Sequence, residues 1–345
     1  VITPGLIDSH THFVYGGSRE AEFAMRIAGN SYEEIARSGG GIASSVEMTK
    51  KTSEEELFLS GKERIEKFVR HGTTTIECKS GYGLDTETEM KILRAINRLK
   101  KDSVLDIVPT YLVHSIPKNI NRDQYVDQVC GEILPEVVKN KLAIFCDIFC
   151  DEIAFSVDES RKVLNTAREL GFALKIHADE LSDIGAAALA AEMGCVSADH
   201  LEFTSRTSIK AMNKAGVIPT LLPGTAFFLQ IEKKPDINGF LEENSPVAIA
   251  SDYNPGSCMI YSMLKIISIA CIVFRLPVEN ALIAATHNAA RALKLEDKIG
   301  SIKTGKQADL IVCDVDNYRK IPYNFGEDIV RYTIKKGKVI YGKTG

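Results

Sequence analysis

The sequence lacks the features of a membrane protein, a nucleic-acid-binding protein or a disulfide-rich secreted protein. No run of about 18 apolar residues is present, and no N-terminal signal peptide is recognisable. The formal net charge of −4 provides no basic surface for nucleic acid or an anionic membrane. The eight cysteines show no CxxC spacing, so we expect them to be reduced. These absences predict a soluble, cytoplasmic protein without nucleic-acid or membrane partners.

The sequence also lacks a GxGxxG segment after its first predicted strand, which argues against the alternative of a doubly wound open sheet. It contains instead a repeated pattern of a helix-forming segment, a glycine and a β-branched or apolar run. This pattern occurs at Gly72, Gly171, Gly194 and Gly216. Glycine often ends a helix in the left-handed conformation, and a short apolar run after it is typical of a buried parallel strand.

Eight such strands are predicted along residues 5–251. They lie around residues 5–9, 73–78, 105–112, 143–149, 172–177, 195–199, 217–221 and 246–251. Because helical patterns separate most of them, the strands are expected to form a parallel sheet with right-handed crossovers. The number of units and their length predict a (β/α)8 TIM barrel.

The pattern changes after Gly300. A strand is predicted within residues 301–313, and two more, 332–335 and 339–341, flank a turn at 336–338. Three strands are too few for a stable sheet, so this small β appendage must pack on the barrel or pair with strands from elsewhere. The chain opens almost directly on a strand, without an initiator methionine, and we expect an N-terminal piece to be missing.

Polar side chains follow most of the predicted strands, where a (β/α)8 barrel carries its chemistry. Residues i and i+2 of a strand share a face, so His10 and His12 would project together and could bind a divalent transition metal. An isolated pair of this kind is equally consistent with two surface histidines. Five of the seven histidines, however, fall at strand ends: His10, His12, His114, His177 and His200.

The segment Pro-Gly-Leu-Ile-Asp-Ser-His-Thr-His at residues 4–12 resembles the first-strand signature of the metal-dependent amidohydrolase superfamily. The histidines of strands 5 and 6 and Asp252 after strand 8 complete that pattern. Residues 300–310 resemble the return of such chains into a β-sandwich built from both chain ends. The resemblance implies a barrel over residues 5–297, with residues 1–4 and 298–345 as the remnant of a composite β-sandwich domain.

Further segments resemble one subfamily of these hydrolases: residues 12–19, 39–42, 77–84, 177–180 and 251–257. Its members open the cyclic amide of 4-imidazolone-5-propanoate to N-formimidoyl-L-glutamate in histidine degradation. The resemblance implies a metal site at His10, His12, His177 and Asp252, holding zinc or iron. Binuclear members of the superfamily use a carbamylated lysine on strand 4. Residues 144–149 contain no lysine, so one metal ion is predicted.

The resemblance also assigns roles in hydrolysis. A metal lowers the pKa of a bound water, and Glu180 is expected to serve as base and proton shuttle, with Asp252 sharing the proton relay. His200 would hydrogen-bond the water or the developing oxyanion. Arg19 would bind the substrate's carboxylate tail. The other expected substrate contacts are Tyr32, Tyr82, His114, Glu180, Asn254, Gly256 and Ser257.

Several alternatives stay open at this stage. Glu180 could be a solvated loop carboxylate, His200 a structural histidine, and Tyr32 an ordinary packing residue. The protein could be another cyclic-amide hydrolase, similar to hydantoinase or dihydroorotase, or a deaminase. It could also be a catalytically silent scaffold, although a scaffold has no reason to keep every ligand position. We further expect a homodimer.

Overall fold

The computed structural model of the protein describes residues 1–30, 34–35 and 39–343. Its first strand, β1 (Ile2–Pro4), belongs to a small sheet formed by the chain ends. The next eight strands pair in chain order, each parallel to its neighbour. They are β2 (Leu6–Asp8), β3 (Thr73–Lys79), β4 (Asp106–Val113), β5 (Phe145–Cys150), β6 (Ala173–Ala178), β7 (Ser197–His200), β8 (Ile218–Leu221) and β9 (Ala248–Ile249). All eight predicted barrel strands are therefore confirmed.

The barrel closes between the segments that follow β9 and β2. The backbone N–H of Asp252 donates to the carbonyl of His10 at 3.0 Å, and that of His12 donates to the carbonyl of Tyr253 at 2.9 Å. The side chain of Asp8 accepts hydrogen bonds from the backbone N–H and the hydroxyl of Ser251. Closure therefore places the two ends of the predicted metal-ligand set side by side.

Helices follow the strands on the outside of the barrel. Ser53 and Ser156 each form a capping box at the start of a helix. Two π-helical turns, Val129–Ile133 and Ala284–Asn288, interrupt longer helical segments. The helices are α1 (Glu20–Ile27), α2 (Ile42–Lys51), α3 (Glu54–Arg70), α4 (Thr86–Asp102), α5 (Arg122–Gln128), α6 (Leu134–Lys139), α7 (Val157–Glu169), α8 (Ala186–Met193), α9 (Arg206–Ala215), α10 (Pro223–Phe228), α11 (Ile237–Glu242), α12 (Met263–Val273), α13 (Val278–Ile283), α14 (Ala289–Arg291) and α15 (Lys320–Tyr323).

The glycines used to predict the strands have the expected backbone conformation. Gly72, Gly171, Gly194 and Gly216 all have positive φ, between 62° and 90°. The last two of these cap α8 and α9 directly before the chain turns into a strand. Throughout the described residues, no helix combines the length and apolar character needed to cross a membrane. None of the eight cysteines, all of which are described, forms a disulfide.

The chain-end sheet is antiparallel, in the order β1, β10 (Leu310–Cys313), β11 (Val330–Lys335) and β12 (Lys338–Gly342). The three predicted C-terminal strands are thus confirmed, and the fourth comes from the N-terminus. The sheet is anchored to the barrel end opposite the predicted site. Lys335 lies 2.7 Å from Asp106 at the start of β4, and the Thr333 hydroxyl donates to the carbonyl of Val69 at the end of α3.

Candidate metal centre and substrate pocket

A cavity of about 520 Å³ opens at the carboxyl ends of the barrel strands. Most of the predicted site residues line it, although they come from strand ends and loops spread over some 245 positions of sequence. Tyr32 lies outside the described residues. The predicted residues that line the cavity are His12, Arg19, Tyr82, His114, His177, Glu180, His200, Asp252, Asn254, Gly256 and Ser257.

Three of the predicted metal ligands converge beneath this cavity. The Nε2 atoms of His10 and His12 are 3.2 Å apart, and Oδ1 of Asp252 lies 3.5 Å from the first and 3.3 Å from the second. His177 packs against His10 with the ring centroids 4.5 Å apart. Ligands about 2.1 Å from a tetrahedral ion are roughly 3.4 Å apart, so these spacings fit a metal ion.

Two carboxylates orient these imidazoles, and neither was predicted as a site residue. Asp199 on β7 accepts a hydrogen bond from Nδ1 of His10 at 2.6 Å, and Asp147 on β5 accepts one from Nδ1 of His177 at 3.1 Å. A neutral histidine that donates through Nδ1 has its free lone pair on Nε2, which can then bind a metal ion. Metal-binding histidines usually donate their other ring N–H to a carboxylate or carbonyl in this way. The donor atoms and their orientation therefore fit a transition metal. The signal available in the sequence was an inward-facing acid on each of two apolar strands.

The two orienting carboxylates are held by buried lysines. Lys79 on β3 lies 2.6 Å from Asp147, 2.9 Å from Glu77 and 3.6 Å from Asp199. Lys175 on β6 lies 3.0 Å from Glu77 and 3.7 Å from Asp199, and donates to the carbonyl of Ser9 at 2.9 Å. Glu77, Lys79 and Lys175 are fully buried. We call these five side chains the ionic floor: Glu77, Lys79, Asp147, Lys175 and Asp199.

Neighbouring charges oppose the effect of burial on Lys79 and Asp147 in the ionic floor. Burial alone would lower the pKa of Lys79, but Asp147, Glu77 and Asp199 raise it above the ordinary value. Burial would likewise raise the pKa of Asp147, but His177 and Lys79 hold it well below its usual range. Lys79 and Asp147 are therefore stabilised in their charged forms by their neighbours, whereas burial raises the pKa of Asp199 above its ordinary value.

The pKa values of the predicted metal ligands favour neutral histidines and an ionised aspartate. Burial lowers the pKa of His10 and His12, which leaves both imidazoles neutral. Burial would raise the pKa of Asp252, but His12, His200 and a 2.7 Å hydrogen bond from the Thr225 hydroxyl hold it well below its usual range. Neutral imidazoles and an ionised carboxylate are the forms in which these residues bind metal.

Glu180 and His200 lie next to each other in the cavity lining. Oε2 of Glu180 lies 3.6 Å from Nε2 of His200, and Nδ1 of His200 lies 4.0 Å from Glu202. Burial, reinforced by Glu202 and Asp252, raises the pKa of Glu180 well above its ordinary value. Burial also lowers the pKa of His200, to about 3. A carboxyl group with a raised pKa can both accept and return a proton near neutral pH.

The backbone is strained where several site residues leave their strands. Asp179, His200, Leu201 and Asp252 have φ of 50°, 81°, 74° and 52°. Left-handed backbone is uncommon for non-glycine residues, and it is concentrated at functional sites in other proteins. Here it turns the chain sharply after β6 and β7, and again after β9 before the Asp252 loop.

The outer part of the cavity is formed by α1 and the loops around it. Glu22 accepts hydrogen bonds from Nε and Nη2 of Arg19, at 2.8 and 2.5 Å, and from Nη2 of Arg26 at 2.9 Å. Arg19 was predicted, whereas Glu22 and Arg26 were not. Their i, i+3 and i+7 spacing, which places all three on one helix face, was a usable signal.

The loop after β9 is organised by Asn254. Its side-chain oxygen accepts hydrogen bonds from the backbone N–H groups of Gly256 and Ser257, at 2.8 and 2.9 Å. A Cβ at Gly256 would lie 2.0 Å from Nη1 of Arg19, so only glycine lets the guanidinium approach. Tyr82 and His114 complete the wall, with their ring centroids 5.5 Å apart.

Comparison with known proteins agrees with this geometry. The sequence profile of the amidohydrolase family matches residues 1–340. Imidazolonepropionase of Shewanella loihica is 44% identical over 99% of this chain and 84% of its own length, and that of Alkaliphilus oremlandii is 45% identical over 99% and 82%. The chain belongs to the imidazolonepropionases of the amidohydrolase family.

Several solved structures share the fold at much lower identity. A 5-methylcytosine deaminase from Klebsiella pneumoniae superposes with a TM-score of 0.78 at 16% identity, covering 100% of this chain and 88% of its own. An adenosine deaminase from Xanthomonas campestris with bound zinc gives 0.70 at 18%, covering 99% and 80%. The predicted fold class, a barrel with an appended chain-end sheet, is thus confirmed for this imidazolonepropionase-family chain.

Proposed function

We propose that this protein hydrolyses 4-imidazolone-5-propanoate to N-formimidoyl-L-glutamate. One water molecule adds across the ring amide: its oxygen bonds to the carbonyl carbon, the ring C–N bond breaks, and the nitrogen takes up a proton. The observation that carries the proposal is a cavity with a metal-ligand set at its base and a guanidinium, that of Arg19, at its outer end. A substrate with a hydrolysable ring and a carboxylate tail matches both ends.

In this proposal the metal ion is bound by His10, His12, His177 and Asp252. A metal ion held there would lower the pKa of a water molecule towards neutrality. Zinc and iron both suit three nitrogen donors and one oxygen donor, so the proposal includes one ion of either metal. Asp147 and Asp199 support the set by keeping Nε2 of His177 and His10 turned to it. We also propose that the enzyme acts as a homodimer in the cytoplasm.

Proton transfer is assigned to Glu180, assisted by Asp252. Its raised pKa suits a group that takes a proton from the attacking water and delivers it to the leaving ring nitrogen. His200, whose Nε2 lies 3.6 Å from the Glu180 carboxyl, is placed to hydrogen-bond the water or the oxyanion that develops on the ring carbonyl. Buried surroundings strengthen both interactions, because water does not compete for them.

Substrate orientation is assigned to the outer wall. Arg19 would bind the carboxylate tail through charge-assisted hydrogen bonds. Tyr82 and His114 lie beside His12, with ring centroids 5.9 and 5.7 Å from it, and would contact the imidazolone ring. Tyr32, Asn254, Gly256 and Ser257 remain proposed substrate contacts. Asn254 also has a structural role, since its side chain holds the loop in place.

The proposal is tested by following the loss of imidazolone ultraviolet absorbance with zinc-loaded and iron-loaded protein. We expect turnover and the appearance of N-formimidoyl-L-glutamate by mass spectrometry. Hydantoin and dihydroorotate serve as cyclic-amide controls that lack the imidazolone ring. Hydrolysis of either control without turnover of 4-imidazolone-5-propanoate would show that the protein is a different cyclic amidohydrolase.

A further inference from the structure

The outer end of the cavity contains a second guanidinium besides Arg19. Arg26 lies seven residues further on, at the end of α1, and both side chains line the cavity together with Glu22. The side chains of Arg19 and Arg26 are 12% and 25% exposed, whereas that of Glu22 is 9% exposed. Among the described residues that line this end of the cavity, these two cations and one anion leave an excess of one positive charge.

The carboxylate of Glu22 is fully engaged within the protein. Oε1 accepts from Nη2 of Arg19 and from Nη2 of Arg26, while Oε2 accepts from Nε of Arg19 and from the backbone N–H of Gly41 at 2.8 Å. Four donors saturate a carboxylate's usual acceptor capacity. Glu22 consequently has little capacity left for a ligand, and its effect is to hold two guanidinium groups in place.

The glycine run at residues 39–41 explains how Glu22 is held. Gly41 has φ of 80° and ψ of −165°, a conformation that glycine alone adopts readily, and it caps the start of α2. A Cβ at Gly40 would lie 3.2 Å from Oε2 of Glu22 and 2.9 Å from the carbonyl of Ile35. Residues with side chains would therefore push this loop away from Glu22 and break the Gly41 hydrogen bond.

Both guanidinium groups retain donors for a ligand. Nη1 of Arg19 forms no hydrogen bond with any of the described residues, and it lies against Gly256. Arg26 reaches the carbonyl of Gly256 only at 3.4 Å, through Nη1 and Nη2. That distance is long for an N–H···O bond. A carboxylate with stronger acceptor oxygens could replace this weak contact.

We propose that Arg26 is a second carboxylate-binding residue beside Arg19, and that Glu22, held by the glycine run, is the positioning residue for both. This inference rests on the proposed function, because it takes the propionate tail as the ligand. It assigns a role to the glycine run and to two residues outside the predicted set. It also changes the role of Arg19, since Glu22 already occupies its Nε–Nη2 edge and leaves Nη1 for the substrate.

The test uses two stable probes and calorimetry with the zinc-loaded protein. Imidazole-4-propanoate carries the carboxylate tail, and imidazole-4-propanamide has the same shape without the charge. We expect the wild type to bind the acid at least about tenfold more tightly than the amide. Arg26→Ala and Glu22→Gln should each weaken acid binding about tenfold and leave amide binding unchanged. Arg26→Lys, which keeps the charge, should restore part of the preference.

Arg98→Ala is the matched control, because Arg98 pairs with Glu55 on the outside of the barrel and is absent from the cavity lining. Equal weakening of both probes in Arg26→Ala would indicate a merely structural role and overturn the inference, as would unchanged acid binding. The probes need no turnover, so an inactive wild type that still prefers the acid would refute the proposed reaction but support this subsite.

Discussion

The base and the outer end of the cavity use charged residues in opposite ways. The side chains of His10, Asp199 and Lys79 at the base are 0% exposed, and their partners lie on barrel strands or in the segments directly after them. Arg19 and Arg26 at the outer end are partly exposed and come from α1 and its start. A group at the base that loses its partner stays buried and unpaired, whereas one at the outer end is rehydrated.

This difference separates metal retention from substrate affinity. Changes at the base should affect the metal and the stability of the barrel together, because the ionic floor orients the ligands from below. Changes at the outer end should affect substrate affinity while metal content stays normal. Changes at the barrel end that carries the small sheet provide a third reference, and they should affect neither metal content nor substrate affinity.

The largest effect is expected at the base, from His177→Ala. Removing this imidazole deletes a proposed ligand and leaves Asp147 without its 3.1 Å hydrogen-bond partner. We expect the variant to lose its metal on dialysis, as measured by elemental mass spectrometry, and to lose turnover with it. Asp147→Asn, which keeps the imidazole but weakens its orientation, should reduce metal affinity about 10- to 100-fold.

His71→Ala is the control for that comparison, because His71 lies at the end of α3 outside the cavity lining, where its Nδ1 bonds the carbonyl of Lys67. It should retain full metal content. If His177→Ala kept its metal after dialysis, His177 would not be a ligand, and the base would have to be reassigned to His10, His12, His200 and Asp252.

A smaller effect is expected at the outer end, from Arg19→Ala. Loss of a charge-assisted hydrogen bond should raise the KM for 4-imidazolone-5-propanoate about 10- to 100-fold. We expect kcat to change much less, because Arg19 is not placed near the reacting ring, and metal content to stay at the wild-type level. Steady-state kinetics with metal analysis of the same sample checks both expectations, and a loss of metal in this variant would erase the distinction between the two regions.

The smallest effect on the site is expected from Asp106→Asn at the opposite barrel end. Asp106 accepts hydrogen bonds from Lys335 at 2.7 Å, Lys336 at 2.9 Å and Gln307 at 3.1 Å. Burial alone would raise the pKa of Asp106, but these partners lower it from 3.8 to about 2. Kinetics and metal content should match the wild type, and only the stability of the junction with the small sheet should change.

The pH dependence of that stability follows from the lowered pKa. The native state favours ionised Asp106, so its contribution is complete above the unfolded pKa of about 4 and disappears as the pH falls towards about 2. Urea unfolding should therefore show the wild type more stable than Asp106→Asn at neutral pH, with the difference shrinking below about pH 4. A difference that grew on acidification would have the wrong sign for this ion pair.

Much of the fold could be predicted because it depends on local patterns. The sequence segments after Gly171 and Gly194 are short, apolar and preceded by helices, and each forms a barrel strand as predicted. The site residues on the strands were predictable for the same reason, since a barrel exposes strand ends at one face. Lys79 was within a recognised segment, but its role was not, because its partners Asp147 and Asp199 lie on other strands.

The sequence by itself determined that His10 and His12 share a face, since side-chain direction in a strand alternates with a period of two. It also indicated the strand ends that carry His177 and Asp252, and the resemblance to the amidohydrolases selected these four residues as the metal-ligand set. Tertiary structure alone decided that Asp199 would bind His10, 189 positions away, and that Glu22 would occupy one edge of Arg19. Local periodicity determines the direction of a side chain, whereas barrel closure and loop packing determine which residues it contacts.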